Sequence, residues 1–378
     1  MRLGLLAALA ATLLPIACSG PAPAAAPPPA RGASTATATG PTQPPAPAAA
    51  PATQAPAARA APAEPVVLKA FDLQITSSAG NYVAVQKGYF REEGIQLDFE
   101  RGNTPDMLPM MAAGQIDIGA GAIVAGLYNA FARGLNVKIV ADHGANLKDA
   151  SAGGLAIRKE LTDSGAVRGP ADLRGRKVAI TGRGTAPELI LDRYLGTAGL
   201  GVDDVEIVLL GFPDMLQAFD NRHIDASYYQ EPFTTIALDR GLIARGPIGY
   251  DIYPNQQVGV VLFNERMLSD RALAQRYMRA YVRGVRDYVR AVQDRDPVAF
   301  NEVVPILIEH TTVKDRAIYD KAIPSGLNPD PIPNVQSILD DQEWYLAKGY
   351  QTQRINVHDF VDTSFVEQAV RDLGPYRR

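Results

Sequence analysis

The chain has 378 residues, 47% of them hydrophobic and 21% charged, with a formal net charge of −4. That balance excludes the basic footprint of a nucleic-acid-binding domain, and no apolar run beyond the N-terminal leader is long enough to span a bilayer. Cys18 is the only cysteine, so no intrachain disulfide is possible and the fold must rest on packing.

Residues 1–18 read as a secretory leader: Arg2 supplies the positive charge, Leu3–Leu14 the apolar run and Pro15-Ile16-Ala17-Cys18 a small-residue cleavage end. A lone cysteine in this position resembles a bacterial lipobox, in which the thiol is acylated and becomes the new N-terminus. Leu14 sits one place earlier than the motif's leucine, where Pro15 stands. The lipobox implies lipidation at Cys18, and an ordinary cleaved leader is the alternative. Residues 19–65 are almost wholly Ala, Pro, Thr, Ser and Gly. Such a stretch buries too little apolar surface to offset its ordering entropy and is expected to be a disordered tether. Its reach is about 40 Å as a coil and about 145 Å as extended polyproline. A globular head is thus expected to work away from a membrane, facing the periplasm or the cell exterior.

Residues 66–378 remain for the head, enough for two domains with their own cores. Val66–Ile75 reads as a strand, broken by Ser77-Ser78-Ala79-Gly80-Asn81. A helix follows over Tyr82–Phe90, then a strand at Ile95–Glu100, a helix at Asp106–Ala113 and a strand at Ile116–Gly119. Gly121 opens a helix to about Arg133, and Val137–Ala141 is a further strand. The scheme recurs with strands at Lys177–Ile180, Val205–Leu209 and Asp225–Tyr228. Its helices fall at Ala186–Ala198, Asp214–Phe219 and from Pro232 to near Gly241. Thr185 and Glu188 have capping-box spacing ahead of the Ala186 helix. This alternation predicts α/β units and largely parallel sheets. From Asp270 the chain turns helical. Arg271–Val292 carries one apolar face, and Trp344, Tyr345 and a Phe365–Leu373 helix are expected to complete the first lobe.

The recurrence has a literal core. Pro105-Asp106-Met107-Leu108, seven residues, then Ile116-Asp117 is answered by Pro213-Asp214-Met215-Leu216, seven residues, then Ile224-Asp225. Arg133-Gly134-Leu135 and Arg240-Gly241-Leu242 continue it. Two like half-units predict two lobes with a ligand cleft between them. The expected division is 66–152 with 264–378 for lobe 1 and 153–263 for lobe 2. Gly153–Ile157 and Val258–Phe263 are the candidate crossings. Asp117 and Asp225 are expected to organise the turns before their strands rather than to bind ligand.

Several segments then point to a family. Gly88-Tyr89-Phe90 with Glu92-Glu93-Gly94-Ile95, Gly114-Gln115-Ile116-Asp117, the stretch Asp172-Leu173-Arg174-Gly175-Arg176-Lys177-Val178-Ala179, Asp225-Ala226 with Glu231-Pro232, and Val361-Asp362-Thr363-Ser364-Phe365 occur in that order. Together they resemble ABC-transporter substrate-binding proteins of the group serving sulfonates, nitrate, thiamin-type pyrimidines and riboflavin. The resemblance runs from about Val66 to the C-terminus. It implies a two-lobed periplasmic-binding-protein fold, type II-like, that closes on one small molecule without a cofactor and delivers it to a permease and its ATPase. The family also includes enzymes that make the thiamin pyrimidine, but their cysteine-rich motif is absent here. The chain is therefore expected to be a monomeric, non-enzymatic binding lipoprotein.

Ligands of open α/β sheets sit at the carboxyl ends of strands, beside helix N-termini with free N–H groups. Four loops qualify: Ser77–Asn81, Gly119–Ile123, Thr181–Thr185 and Tyr228–Pro232. Ser77, Ser78 and Asn81 offer small polar groups, or cap a helix. Gly121, Gly182 and Thr185 permit close backbone approach and hydroxyl contact, and Arg183 is the candidate anion partner. Tyr82, Tyr128 and Tyr228, with Tyr229, Phe212 and Phe233 nearby, are candidates to stack on a flat ligand, or to pack in the core. Glu231 can accept from ligand N–H or O–H groups, or cap a helix. His143 follows a strand end and can face the cleft. Four scattered histidines give no metal cluster and no nucleophile–base pair. Two ligand classes stay open: a flat heteroaromatic such as riboflavin or a thiamin-type pyrimidine, favoured by the aromatic loops, and an alkanesulfonate or other small anion, favoured by Arg183. A pyrimidine-synthesising enzyme and a ligand-sensing domain are the readings of other classes.

Overall fold

The computed structural model describes residues 64–378 except Asn103 and Ala152, and leaves the side chains of Thr104 and Pro105 undescribed. The leader, Cys18 and all but the last two residues of the tether lie outside the described residues.

Among the described residues, ten strands form two five-stranded sheets. In chain order they are β1 (Val66–Asp72), β2 (Ile95–Arg101), β3 (Ile118–Ala122), β4 (Val137–Ala145), β5 (Gly153–Arg158), β6 (Lys177–Ile180), β7 (Glu206–Leu209), β8 (Ala226–Gln230), β9 (Ile243–Ile248) and β10 (Gln257–Asn264). The first sheet has the order β2-β1-β3-β10-β4 and the second β7-β6-β8-β5-β9. These are the same topology. β1, β2 and β3 correspond to β6, β7 and β8, and in each sheet the fourth strand runs antiparallel to its neighbours. The sheets are therefore mixed, not largely parallel, because a chain crossing inserts one reversed strand into each.

β10 corrects the expected boundary. Residues 257–263 belong to the first sheet, so the second crossing falls before Gln257. All eight residues of β10 are buried. A strand buried on both faces shows no alternation, and its sequence does not say which sheet receives it. The two crossings lie side by side. Asn146 N–H donates to the Gln256 carbonyl at 2.9 Å and Asn255 N–H to the Asn146 carbonyl at 2.8 Å. The Asn146 side-chain amide donates to Gln256 Oε1 at 3.0 Å.

The repeated aspartates perform one task twice. Asp117 N–H donates to the Lys69 carbonyl, and the Lys69 N–H returns a bond to Asp117 Oδ2 at 2.9 Å. Asp225 makes the same exchange with Lys177, whose N–H reaches Asp225 Oδ2 at 3.1 Å. Each carboxylate also holds an arginine, Arg266 at 3.0 Å and Arg158 at 2.9 Å. Each carboxylate therefore ties the start of one parallel strand to its neighbour, β3 to the middle of β1 through Lys69 and β8 to the first residue of β6 through Lys177, a structural role.

Each sheet is covered on both faces by helices. One face of the first sheet packs on helices Ala79–Gln86, Arg271–Tyr288, Pro297–His310 and Ser364–Leu373 through a core rich in tyrosine. Its other face carries helices Ala125–Ala132 and Val335–Ala347, with Tyr128 and Tyr345 buried between them. Val289–Gln293, expected to continue the Arg271 helix, is a single π turn. Helices Ala79–Gln86 and Arg271–Tyr288 approach unusually closely: a Cβ at Gly284 would stand 2.0 Å from the Gly80 carbonyl oxygen. Gly284→Ala is expected to destabilise the protein by about 1–3 kcal/mol, because the helices must separate to admit the methyl. That corresponds to a fall of roughly 2–10 °C in melting temperature. A thermal melt within a degree of wild type would show that the contact has slack.

Candidate ligand cleft

The carboxyl ends of the parallel strands of both sheets face one cavity. Lobe 1 contributes Thr76 and Ser77 after β1, Gly121 and Ala122 at the end of β3, and His143 and Gly144 in β4. Val258 and Gly259 enter from the start of β10. Lobe 2 contributes Thr181, Arg183, Gly184 and Thr185 after β6, Phe212 after β7, Gln230 at the end of β8 and Glu231 after it. The tail adds Ser325, Gly326 and Tyr350.

A buried carboxylate organises the floor of this cavity. Asp142 accepts from the Gly144 N–H at 2.7 Å, the Asn328 N–H at 2.8 Å and the Gln257 side-chain amide at 2.6 Å. It thereby ties β4, β10 and the tail loop together. Gln257 Nε2 also donates to the Gly144 and Gly259 carbonyls, and its Oε1 accepts from the Asn334 N–H. The tail loop can approach only because residue 326 is glycine: a Cβ there would lie 2.2 Å from the Ala145 carbonyl oxygen.

Of the proposed site residues, Ser77, Gly121, Arg183, Thr185 and Glu231 lie on the cavity wall. The others do not. Ser78 is buried and its Oγ lies 3.3 Å from His143 Nε2, while Ser77 Oγ lies 3.5 Å from Nδ1. Asn81 is a core residue whose Oδ1 accepts from the Tyr277 hydroxyl at 2.9 Å. Tyr82 is fully buried, donates to Asp72 and stacks on His310 at 4.9 Å. Tyr128 donates to the Ile338 carbonyl at 2.8 Å, and Tyr228 sits in the core of the second sheet. These three tyrosines are structural, because a bulky side chain just inside a helix or strand finds the core before it finds the cleft. Gly182 does not line the cavity; its carbonyl accepts from the Thr185 hydroxyl at 2.7 Å.

The expected capping box is absent. Glu188 accepts the N–H of Gly184, at 2.7 Å, and not that of Thr185. It also accepts from Arg183 at 2.6 Å and from the Tyr350 hydroxyl at 2.9 Å, and none of it is exposed. Glu231 is similarly engaged. It accepts from Arg245 at 2.8 Å, from the Thr235 N–H and hydroxyl, and from the Ile323 N–H. Aromatic surface on the wall comes from Phe212, backed by Tyr229 and Phe233 at ring distances of 6.1 Å each, and from Tyr350. The tail residues carried no motif; the turn-forming run Pro324-Ser325-Gly326 was the available signal.

Burial pushes His143 down to about 4, so the imidazole is neutral at pH 7. The unfolded chain binds this proton better than the folded one. The stability His143 contributes is present above pH 6.5 and is lost as pH falls from 6.5 toward 4. Asp142 acts in the opposite sense: burial, offset by its three donors, raises it to about 6, so its contribution fades as pH rises through that value. His143→Gln isolates the first effect. Between pH 7 and pH 4.5 the variant is expected to lose roughly 2 kcal/mol less stability than wild type in guanidinium unfolding. Equal losses would mean that His143 is not held neutral by burial.

Two topologically identical α/β lobes, joined by paired crossings and facing each other across a cavity at their strand ends, define a two-lobed periplasmic-binding-protein fold. The chain belongs to the family described as NMT1/THI5 like, whose model matches residues 75–292. Binding proteins of Brucella abortus and Brucella suis are 28% identical over 146 residues; the match covers 38% of this chain and 41% of theirs. Among solved structures, the alkanesulfonate-binding protein SsuA from Xanthomonas axonopodis bound to MOPS is 19% identical with a TM-score of 0.61, covering 79% of this chain and 99% of that one. The nitrate-binding protein NrtA from Synechocystis PCC 6803 is 13% identical with a TM-score of 0.64, covering 82% and 90%. The desulfurization enzyme DSZB is 15% identical with a TM-score of 0.59, covering 81% and 99%. At these identities the likeness is one of fold, a fold that carries both binding proteins and an enzyme.

Proposed function

We propose that this chain is the solute-binding component of an ABC importer and that its ligand is a neutral, flat heteroaromatic molecule of the riboflavin or thiamin-pyrimidine type. One observation carries the ligand class. Arg183 is the sole cation of the four cleft loops, and it is already paired with the fully buried Glu188. An entering anion would have to compete with that carboxylate. His143 is neutral, and Phe212 and Tyr350 supply flat apolar surface to a ring. The importer role draws on the family, the fold and the sequence signals for export. No helix among the described residues is long and apolar enough to cross a membrane. The head is held at the membrane by lipid on Cys18, acts as a monomer and hands its ligand to a permease powered by an ATPase.

An alkanesulfonate is the competing ligand, favoured by the partial exposure of the Arg183 side chain beside a helix start. An absorption spectrum and native mass spectrometry of the protein, purified without refolding, separate the two. A yellow protein carrying one flavin-sized adduct is the expected outcome for riboflavin. If the protein is colourless, a thermal-shift panel of pyrimidines and alkanesulfonates decides, and stabilisation by sulfonates alone would overturn the heteroaromatic reading. Phe212→Ala should weaken heteroaromatic binding by about 0.5–1.5 kcal/mol, read by calorimetry. Turnover of a bound ligand on prolonged incubation would instead indicate an enzyme.

The anchor has its own test. Cys18→Ser is expected to release the protein from the membrane fraction in the producing bacterium. A variant that still sediments with membranes and carries lipid would remove Cys18 as the acylated residue.

A further inference from the structure

Helix Ala186–Gly196 of lobe 2 presents two carboxylates one turn apart, Glu188 and Asp192, on one face. Lobe 1 answers both. Tyr350 donates its hydroxyl to Glu188 at 2.9 Å, and the Trp344 indole N–H reaches Asp192 at 2.8 Å. Lys348 lies 3.0 Å from the other Asp192 oxygen. Beside them the Ala125 N–H, at the start of the lobe 1 helix Ala125–Ala132, donates to the Gly184 carbonyl at 3.0 Å, and Val124 bridges Thr185. The lobes thus meet on this side of the cleft through a complete set of polar bonds, none of which needs a ligand atom.

A helix N-terminus beside an arginine is a ready-made place for an anion. Here the helix's own third residue fills it. The Glu188 carboxylate takes the Gly184 N–H and Arg183 in lobe 2, then extends to Tyr350 in lobe 1. Those are the kinds of partner a bound carboxylate or sulfonate would use to hold the lobes together. We propose that Glu188 is a specificity-determining residue that acts as a resident anion: it occupies the charge-binding corner of the cleft, rejects ligand anions and latches the lobes in their place. The proposal rests on the neutral-ligand reading above.

The test uses ethanesulfonate as probe and the chain's single tryptophan, Trp344, as reporter of lobe contact. Glu188→Gln keeps the side-chain size and removes the charge, leaving Arg183 without its carboxylate. It is expected to bind ethanesulfonate about tenfold or more tightly than wild type in titration calorimetry. It should also shift Trp344 emission to longer wavelength in the unliganded protein, as the indole gains water. Tyr350→Phe removes only the cross-lobe donor. It should shift the emission likewise, with no gain in ethanesulfonate binding. A Glu188→Gln protein that melts cooperatively yet gains no affinity overturns the proposal and leaves the neutral-ligand reading standing. Tight ethanesulfonate binding by the wild type overturns both. If Glu188→Gln does not fold, unchanged Trp344 emission in Tyr350→Phe overturns the latch.

Discussion

The cleft exists because each sheet takes its fourth strand from a chain crossing. β5 arrives directly from the first sheet and runs backwards through the second; β10 returns from the second sheet and runs backwards through the first. Both crossings must therefore pass at one edge of the cleft, and the carboxyl ends of the parallel strands from both sheets are left facing each other. The strand ends carry the loops and helix starts that line the cavity. Moving either reversed strand to an outer edge would displace the crossings and the cavity together. The Asp117 and Asp225 clasps secure the starts of β3 and β8.

Polar groups inside the molecule are spent on placing backbone. Asp142 and Gln257 are buried, yet their partners are mostly main-chain N–H and carbonyl groups from three segments far apart in sequence. Burying a carboxylate without such partners would cost several kcal/mol. With them, it fixes the relative height of β4, β10 and the Ser325–Gly326 loop, which form one wall of the cavity. Glu231 does the same on the opposite wall, joining Thr235, Arg245 and Ile323. Ionic groups that already have partners therefore set the position of the cavity walls, and two of them, Arg183 and Glu231, lie on the walls themselves.

Much of this was legible in the chain. The Pro-Asp-Met-Leu repeat with its Ile-Asp echo marks equivalent positions in topologically equivalent sheets, and each of the four segments taken from strand ends has residues on the cavity wall, although Gly119–Ala122 and Tyr228–Gln230 are strand and not loop. The orientation of individual side chains was not. Tyr82 and Tyr228 stand next to or inside the cleft loops in sequence and Tyr128 a little beyond one, but the helix and strand phases turn all three into cores. Glu188 has the spacing of a capping box, and only the tight turn at Gly184 redirects it toward the loop and Arg183. β10 carries no alternation because both its faces are covered. Tyr350 and Ser325 reach the cavity from a tail whose pattern speaks only of helix packing. Local periodicity reports burial well, and it says little about which distant segment supplies the partner.

The paired crossings have a mechanical consequence. The two crossing segments are hydrogen-bonded to each other at Asn146, Asn255 and Gln256, so neither can slide along the other without breaking these bonds together. Lobes tied by two such segments are held to fewer relative orientations than lobes tied by one. The same constraint keeps Trp344 opposite Asp192 and Ala125 opposite Gly184. A single flexible linker would allow the lobes to meet in many mismatched arrangements; the doubled one makes the encounter reproducible, so that a few short polar bonds suffice to end it.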